Sequence, residues 1–447
     1  MKEISEPSRI VPVMAETDVL VVGSGPAGLS AALASAREGV DTMLAERFGC
    51  FGGNITQAMV GTIAWYRREE TVDAGGIGVE FESRAMEMGA SLEDPEGEGQ
   101  LLDTDMFKYV ADKLVQEAGV APVLHCLSVK AIVRDSAVKG IITESKSGRQ
   151  AILAKCVIDA TGDADVAFSA GAPYREEPKE RRMPATTSFS CSGVDVDGFL
   201  AYVETNPSRL DDWAAKTSGK EDDLFSTWIV EPFNKAKEAG EIPENSTVLG
   251  YWGGLTKAGE ATNINVAHTL GIDVTDVWDL TRAEMDGRQK AMWALQALKK
   301  YTPGFQNSRL RSFNSSLGTR ESRKIIGEYT LTGHDVKNRA RFEDSIGIFP
   351  EFLDAYGEVI MPTTGRYFQV PYGVILPQKV ENLLVAGRCI SADRTAFSAT
   401  RQMMCCAVTG QGAGIAAALS LKSGVTCREV DVSRVQKSLV RQGVRIA

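Results

Sequence analysis

Histidine is scarce in this sequence, at three in 447 residues, and cysteines spaced to hold a metal are missing altogether. The eight cysteines (Cys50, Cys126, Cys156, Cys191, Cys389, Cys405, Cys406 and Cys427) contain no CxxC pair, and Cys405 and Cys406 are adjacent. Neither a zinc cluster nor a disulfide framework is supported, and no metal is expected. Basic charge is also short. Lys and Arg number 49 against 59 Asp and Glu, a formal net charge of −10. That balance argues against a nucleic-acid partner, which wants a basic face. No apolar run of membrane-spanning length is found, so no membrane span is expected. Residues 1–16 lack an apolar stretch after a basic start, so no leader is expected either. Unpaired, scattered cysteines fit a reducing cytoplasm. Internal repeats and low-complexity tracts are absent.

What is present begins at once. Thr17 to Val22 is apolar and β-branched and predicts a short buried strand ending in glycines. Pro26 to Glu38 predicts a small-residue helix that can lie close to a sheet, with Gly39 as its stop, and Thr42 to Glu46 predicts the next strand. This is a βαβ unit. A helix is predicted over Asp105 to Ala118. Short strands follow at Pro122–Cys126, Val129–Val133, Gly140–Ser145 and Gln150–Leu153, which together suggest a meander. Lys155–Asp159 and Asn382–Ala386 predict two further buried strands, and Ala399–Ser420 one long helix. Between about 174 and 370 the composition changes to acidic helical stretches with irregular Pro and Gly. The expected fold is therefore α/β: a Rossmann-like domain with a parallel sheet and a β-meander, carrying an inserted α+β substrate domain. The first domain would be discontinuous (1–58, 100–173 and 381–447), with 59–99 and 174–380 forming the substrate or cap part.

Gly23-Ser24-Gly25-Pro26-Ala27-Gly28 is GxGxxG between a strand and a helix. Its glycines permit the tight turn, the close approach of backbone to a pyrophosphate and helix–strand packing, and the helix N-terminus receives phosphate charge. Glu46, at the end of the second strand, can accept hydrogen bonds from ribose hydroxyls and would repel a 2′-phosphate. To this point NAD and FAD fit equally.

The rest of the chain separates them. Glu46-Arg47, Gly52-Gly53-Asn54, Ala160-Thr161-Gly162 and Ala386-Gly387-Arg388 together resemble FAD-dependent oxidoreductases of the glutathione-reductase-like superfamily. Leu317 to Tyr329, Gly387 to Ala392, Arg401-Gln402-Met403-Met404 and Gly410-Gln411-Gly412-Ala413-Gly414 narrow the likeness to a broad bacterial FAD-dependent oxidoreductase family. The resemblance implies non-covalent FAD. It assigns to FAD the residues Gly23, Gly25, Pro26, Ala27, Gly28, Glu46, Arg47, Gly52, Gly53, Asn54, Val129, Ala160, Thr161, Gly162, Gly387, Arg388, Arg401 and Gln402. Arg388 stands where the superfamily usually has an aspartate. Arg401, near the N-terminus of the long helix, is expected at the flavin pyrimidine edge.

Cys50 is the lone cysteine after the nucleotide strand, so the dithiol of a disulfide reductase is missing. It could attach flavin or react, or simply occupy a glycine-rich turn. Gly410 to Gly414 lacks a preceding strand and suits close packing better than a second dinucleotide. Electrons would then pass from a small-molecule substrate through flavin to oxygen, a quinone or a carrier protein, or run in reverse as a double-bond reductase. A flavin monooxygenase and a non-redox flavoprotein scaffold that binds a partner remain open. Candidate catalytic residues are His268 as general base, and Arg366 with Tyr367, where an arginine suits a carboxylate substrate. His125 is expected packed in a strand and His334 in a turn.

Overall fold

The computed structural model describes residues 3–64, 71–93, 100–206, 209–212, 220–225, 227–248, 254–355, 358–362 and 365–447. Strand β1 (Val13–Val22), helix α1 (Pro26–Arg37) and strand β2 (Thr42–Ala45) form the expected βαβ unit. Proline is harmless at the start of α1 because the first amides of a helix have no helical acceptor. Strand β3 (Ala121–Val123) extends the sheet beyond β2. The meander is built from β4 (Leu127–Arg134), β5 (Ala137–Ser145) and β6 (Gly148–Asp159). The two strands expected at Gln150–Leu153 and Lys155–Asp159 are thus one strand of 12 residues. It runs parallel to β1 along most of its length while its first half pairs antiparallel with β5.

The inserted part has its own sheet. Strand β7 (Ala185–Ser192) lies between β8 (Glu260–Thr269) and β9 (Arg309–Phe313), all antiparallel. Helix α2 (Val277–Tyr301) covers one face, where Phe189, Ile264, Leu295 and Phe305 form an apolar cluster. Residues 77–90 and 331–376, expected with this part, instead place Ile77, Phe81, Val336, Phe349 and Val370 in the cluster of α1 and β1.

Near the end of the chain, strand β10 (Leu383–Val385) pairs parallel with β6. The register then fixes one edge of the sheet. Val22 stands opposite both Ala45 and Asp159, and Asp159 opposite Val385. The segments that begin with Gly23, Glu46, Ala160 and Ala386 therefore leave the sheet side by side at its carboxyl edge, where α/β folds bind ligands.

The long helix expected over Ala399–Ser420 is two helices, α3 (Arg394–Thr400) and α4 (Met403–Ser423). Gln402 is extended between them (φ −60°, ψ 140°), and the side chains of Arg401 and Gln402 both donate to Asp354. Helix α4 is long and apolar enough by composition to cross a membrane, with mean hydropathy 1.4, which corrects the expectation that no such run exists. Its apolar stretch is 94% buried inside the protein. Two glycines set this packing. A Cβ on Gly410 would stand 2.0 Å from the Ala27 carbonyl oxygen, and one on Gly414 2.3 Å from that of Ala31. Glycine at that spacing lets α4 lie directly on α1, as the lack of a preceding strand suggested.

Candidate active site

The carboxyl edge opens into one pocket. Gly23, Gly25, Pro26, Ala27, Glu46, Arg47, Gly53, Asn54, Ala160, Thr161, Gly162, Gly387, Arg388 and Arg401 all line it. Gly28 and Gly52 stand behind the wall. A Cβ on Gly28 would come within 1.8 Å of the Gly23 carbonyl oxygen, while Gly52 donates its N–H to the Ser24 carbonyl at 2.9 Å. Gly23 has φ +93°, and a side chain there would strike the Ala160 carbonyl at 2.5 Å. Gly25 differs from both: a Cβ there would meet only Gly53 Cα, at 4.0 Å. The space above Gly25 is the cradle itself, which any side chain would fill.

Glu46 is buried at 4% exposure. Its Oε2 accepts from the Ser24 N–H at 2.8 Å and the Ser24 hydroxyl at 2.6 Å, and Oε1 accepts from the Phe48 N–H at 2.9 Å. A carboxylate offers about four acceptor positions, so room remains for a hydroxyl. Asp159, buried below the Ala160-Thr161-Gly162 turn, shapes it by accepting from the Thr161 N–H and hydroxyl and from the Ala167 N–H. Burial raises the Asp159 carboxyl above the usual carboxylate range. Asp165, on the same wall, is pushed up to about 6 by burial and by the charges of Asp163 and Asp159, against Arg323.

Arg388 lines the same pocket. Its Nη2 donates to Asp163 Oδ1 at 3.2 Å and to Thr319 Oγ1 at 3.3 Å, and Asp163 is held in turn by the Ser322 hydroxyl at 2.6 Å. Gly162 makes room for this arginine, since a Cβ there would lie 2.5 Å from Nη2. Nη1 is buried with no hydrogen-bond partner. A buried, unsatisfied cationic nitrogen calls for an anionic group. With the cradle at Gly25 and the remaining acceptor position on Glu46, these residues fit a dinucleotide lying along the edge.

At the far end the wall is made by Asn54, Gln57, Ser316, Leu317, Thr319, Arg401 and Met403. Asn54 donates to the Thr319 carbonyl at 3.2 Å, and Gln57 accepts the Ser315 and Ser316 N–H groups through its own carbonyl. Residues 316–319 come from the connection after β9, some 260 residues along the chain from Asn54, and periodicity could not have paired the two. Cys406 also lines this end, and burial pushes its thiol up to about 12. Cys50 is not among the lining residues and accepts a hydrogen bond from Gln57 Nε2 at 2.8 Å.

Several expectations are corrected. Val129 is 37% exposed, and Cys126, Leu127 and Ser128 line the pocket instead. The β4–β5 register slips between Ser128 and Lys130, which defeats simple alternation. Gln402 lies outside the lining, turned to Asp354 and the Ser398 carbonyl. His268 is 7% exposed on β8 and does not line the pocket. Burial first, then the charges of Arg320 and Lys290, lowers its pKa to about 3, far too low for a general base working near neutrality. Arg366 donates through Nε to Glu351 at 2.6 Å. That carboxylate is almost wholly buried and takes Arg366 as a partner, and Arg366 is not among the residues that line the pocket. Tyr367 lies under the Arg341 guanidinium, 3.9 Å from its ring centroid. His125 sits exposed in a left-handed turn (φ 54°) rather than in a strand, and His334 belongs to the short helix Gly333–Lys337.

Comparison with known proteins agrees with the pocket. The digeranylgeranylglycerophospholipid reductase 1 of Methanopyrus kandleri is 32% identical over 200 residues, 44% of this chain and 52% of that protein. The thiamine thiazole synthase of Methanococcus vannielii is 32% identical over 169 residues, 34% of this chain and 58% of that protein. The chain thus spans about half the length of the curated relatives it matches, and both are archaeal. A geranylgeranyl bacteriochlorophyll reductase-like protein of Thermoplasma acidophilum aligns over 97% of this chain and 85% of its own, at 14% identity and TM-score 0.44. The profile of the family described as FAD dependent oxidoreductase matches residues 18–439, nearly the whole length, and the chain belongs to that family.

Proposed function

We propose that the protein exchanges a hydride between the flavin of FAD and a carbon of a small organic substrate seated where the pocket meets the inserted part. One observation carries this reading: a single pocket continues from Glu46, past Gly25 and Arg388, to Ser316, Leu317, Thr319 and Met403. When bound, FAD supplies a two-electron centre. The chain's own residues hold it. The open acceptor position of Glu46 suits a ribose hydroxyl, and the space over Gly25 at the start of α1 suits a pyrophosphate. Arg388 Nη1 offers that anion a charge-assisted hydrogen bond. Arg401, just ahead of α4, suits the edge of the flavin ring where negative charge builds on reduction. This arrangement supports a glutathione-reductase-like ancestry for the nucleotide part, with residues 1–58, 100–173 and 381–447 as its segments. The fully unpaired cysteines suit a reducing cytoplasm. Among the described residues no second strand–GxGxxG–helix unit occurs, so the electron partner is proposed to be oxygen, a quinone or a carrier protein.

The test is an anaerobic screen for metabolites that bleach the flavin of the purified protein. Bleaching by a metabolite, with colour restored by one of those acceptors, is the expected result. Rapid bleaching by micromolar NADH or NADPH would overturn these acceptors and donors in favour of a monooxygenase or a nicotinamide-driven reductase.

A further inference from the structure

Leu317 to Tyr329 carries part of the family likeness, yet of these residues only Leu317 and Thr319 line the flavin pocket. The segment between them and Lys324 faces two ways. Towards the inserted sheet, Gly318 exchanges both backbone hydrogen bonds with Thr186 of β7, at 2.8 and 3.0 Å. Arg320 donates to the Pro184 carbonyl at 2.8 Å, and Glu321 accepts the Met183 N–H at 2.9 Å. Glu321 is buried and paired at 2.7 Å with Lys324, which is buried as well. Towards the nucleotide part, Thr319 Oγ1 accepts from Arg388 Nη2 at 3.3 Å. The Ser322 hydroxyl donates to Asp163 Oδ1 at 2.6 Å. Arg323 Nη1 donates to the Asp163 carbonyl and to Asp165 Oδ1, both at 3.1 Å.

Asp163 Oδ1 is therefore shared between Ser322 and Arg388 Nη2, which reaches it at 3.2 Å. Ser322 is buried and lies outside the pocket lining, so it acts on a ligand only through other side chains. A guanidinium is a rigid planar fork. Holding Nη2 on Asp163 and Thr319 also sets the direction of Nη1, the nitrogen that is buried without a partner. The Asp163 carboxyl ends on a soft torsion, and the Ser322 hydroxyl is what fixes its rotation. Arg323 fixes the same residue's backbone.

We propose that Ser322 is a positioning residue for FAD: acting through Asp163, it aims the Arg388 guanidinium so that Nη1 is offered to the pyrophosphate. The segment 318–324 thereby ties retention of the cofactor to the seating of the inserted sheet on the nucleotide part. The inference rests on the placement of the pyrophosphate beside Arg388, and goes beyond it in naming what aims the arginine.

The test titrates flavin-stripped full-length protein with FAD and reads affinity from the visible absorption, in the parent and in an Arg388→Met background. Ser322→Ala should weaken binding about three- to tenfold, the range of one hydrogen bond. With Arg388→Met already present it should cost less than about twofold, because residues that act through one another do not add. Asp163→Asn and Asp163→Ala both remove the negative charge, but only the first keeps an oxygen that can accept from Ser322 and Arg388. Asp163→Ala should therefore bind FAD about three- to tenfold more weakly than Asp163→Asn, and the two should match in the Arg388→Met background. Equal losses from Ser322→Ala in both backgrounds would overturn the proposal, since a merely structural group acts the same way in each. So would a Ser322→Ala protein with lowered Tm and unchanged affinity, or Asp163→Ala binding as tightly as Asp163→Asn. Undiminished binding by Arg388→Met would overturn the placement of the pyrophosphate itself, and this proposal with it. Failure of hydride exchange is a separate result: no metabolite would bleach the flavin, while these affinities kept their pattern.

Discussion

Arg388 pairs with Asp163 at 3.2 Å through Nη2, while its buried Nη1 has no partner. The pair fixes one side of the guanidinium and leaves the other turned to the pocket that Arg388 lines. The unpaired Nη1 still offers an N–H to an anionic group in the pocket. Arg388→Met should weaken FAD retention by about 10–100-fold, the range of one hydrogen bond to a charged group, read as flavin released on ultrafiltration. Arg388→Lys should recover part of the loss. Unchanged retention in Arg388→Met would remove this residue from the cofactor site.

Gly25 and Gly410 predict opposite defects. A side chain at Gly25 meets only Gly53 Cα at 4.0 Å, so Gly25→Val should fold with nearly normal stability yet purify colourless. A Cβ at Gly410 would press on the Ala27 backbone and force α4 away from α1. Gly410→Ala should therefore cost about 1–3 kcal/mol, seen as a lowered Tm. A stable, normally folded Gly410→Ala would show that α4 can shift without penalty.

Asp165 and His268 give stability opposite dependences on pH. The Asp165 carboxyl titrates at about 6 in the folded state, above its usual 3.8. Between those values the folded chain holds a proton that the unfolded chain has lost, so stability falls as pH rises through the window. The side chain keeps 42% of its surface; with solvent screening the effect is on the order of 1 kcal/mol. His268 titrates at about 3 when folded, below its usual 6.5. There the unfolded chain binds the extra proton, and stability is lost as pH falls from 6.5 towards 3, by up to roughly 4–5 kcal/mol. Denaturant melts from pH 4 to 8 should show Asp165→Asn flattening the first trend and His268→Gln the second. A His268→Gln protein that remains as acid-sensitive as the parent would refute the buried neutral imidazole.

What the sequence made legible was whatever a local rule demands. Gly23 needs φ +93° and Gly28 needs contact with Gly23; both belong to one turn, and the motif announces them. Glu46 follows from the length of the βαβ unit. The far end of the pocket was hidden because Asn54 meets Thr319 only after the inserted sheet has folded back. His268 was misread for a related reason: alternation tells which side of a strand a residue faces, not how deep that side is buried. Val129 came from the resemblance alone, and its neighbours Cys126, Leu127 and Ser128 line the pocket in its place. The break between α3 and α4 was invisible because the side chain that holds it, Asp354, is remote in sequence. Arg366 looked available to a ligand only because Glu351 could not be placed beside it.

Arg401 offers the sharpest test of where the flavin ring lies. Its Nη2 donates to the Asp354 carbonyl at 2.6 Å and to the same residue's carboxylate, and its Nε is buried without a partner. It also lines the pocket beside Met403. A cation at the ring edge stabilises the anionic reduced flavin and raises the reduction potential, while the Asp354 carboxylate opposes it. Arg401→Gln should lower the potential, and Asp354→Asn should raise it by a smaller amount. A loss of about 1.4–3 kcal/mol corresponds to roughly 30–60 mV for a two-electron couple. Spectroelectrochemical titration without substrate measures both shifts, free of any effect on substrate binding. Shifts of opposite sign in the two variants are expected. If neither variant moved the potential by more than about 10 mV, a value small against that range, the ring would have to lie elsewhere in the pocket, and Arg401 would be left as a clamp on Asp354 that fixes the junction of α3 and α4.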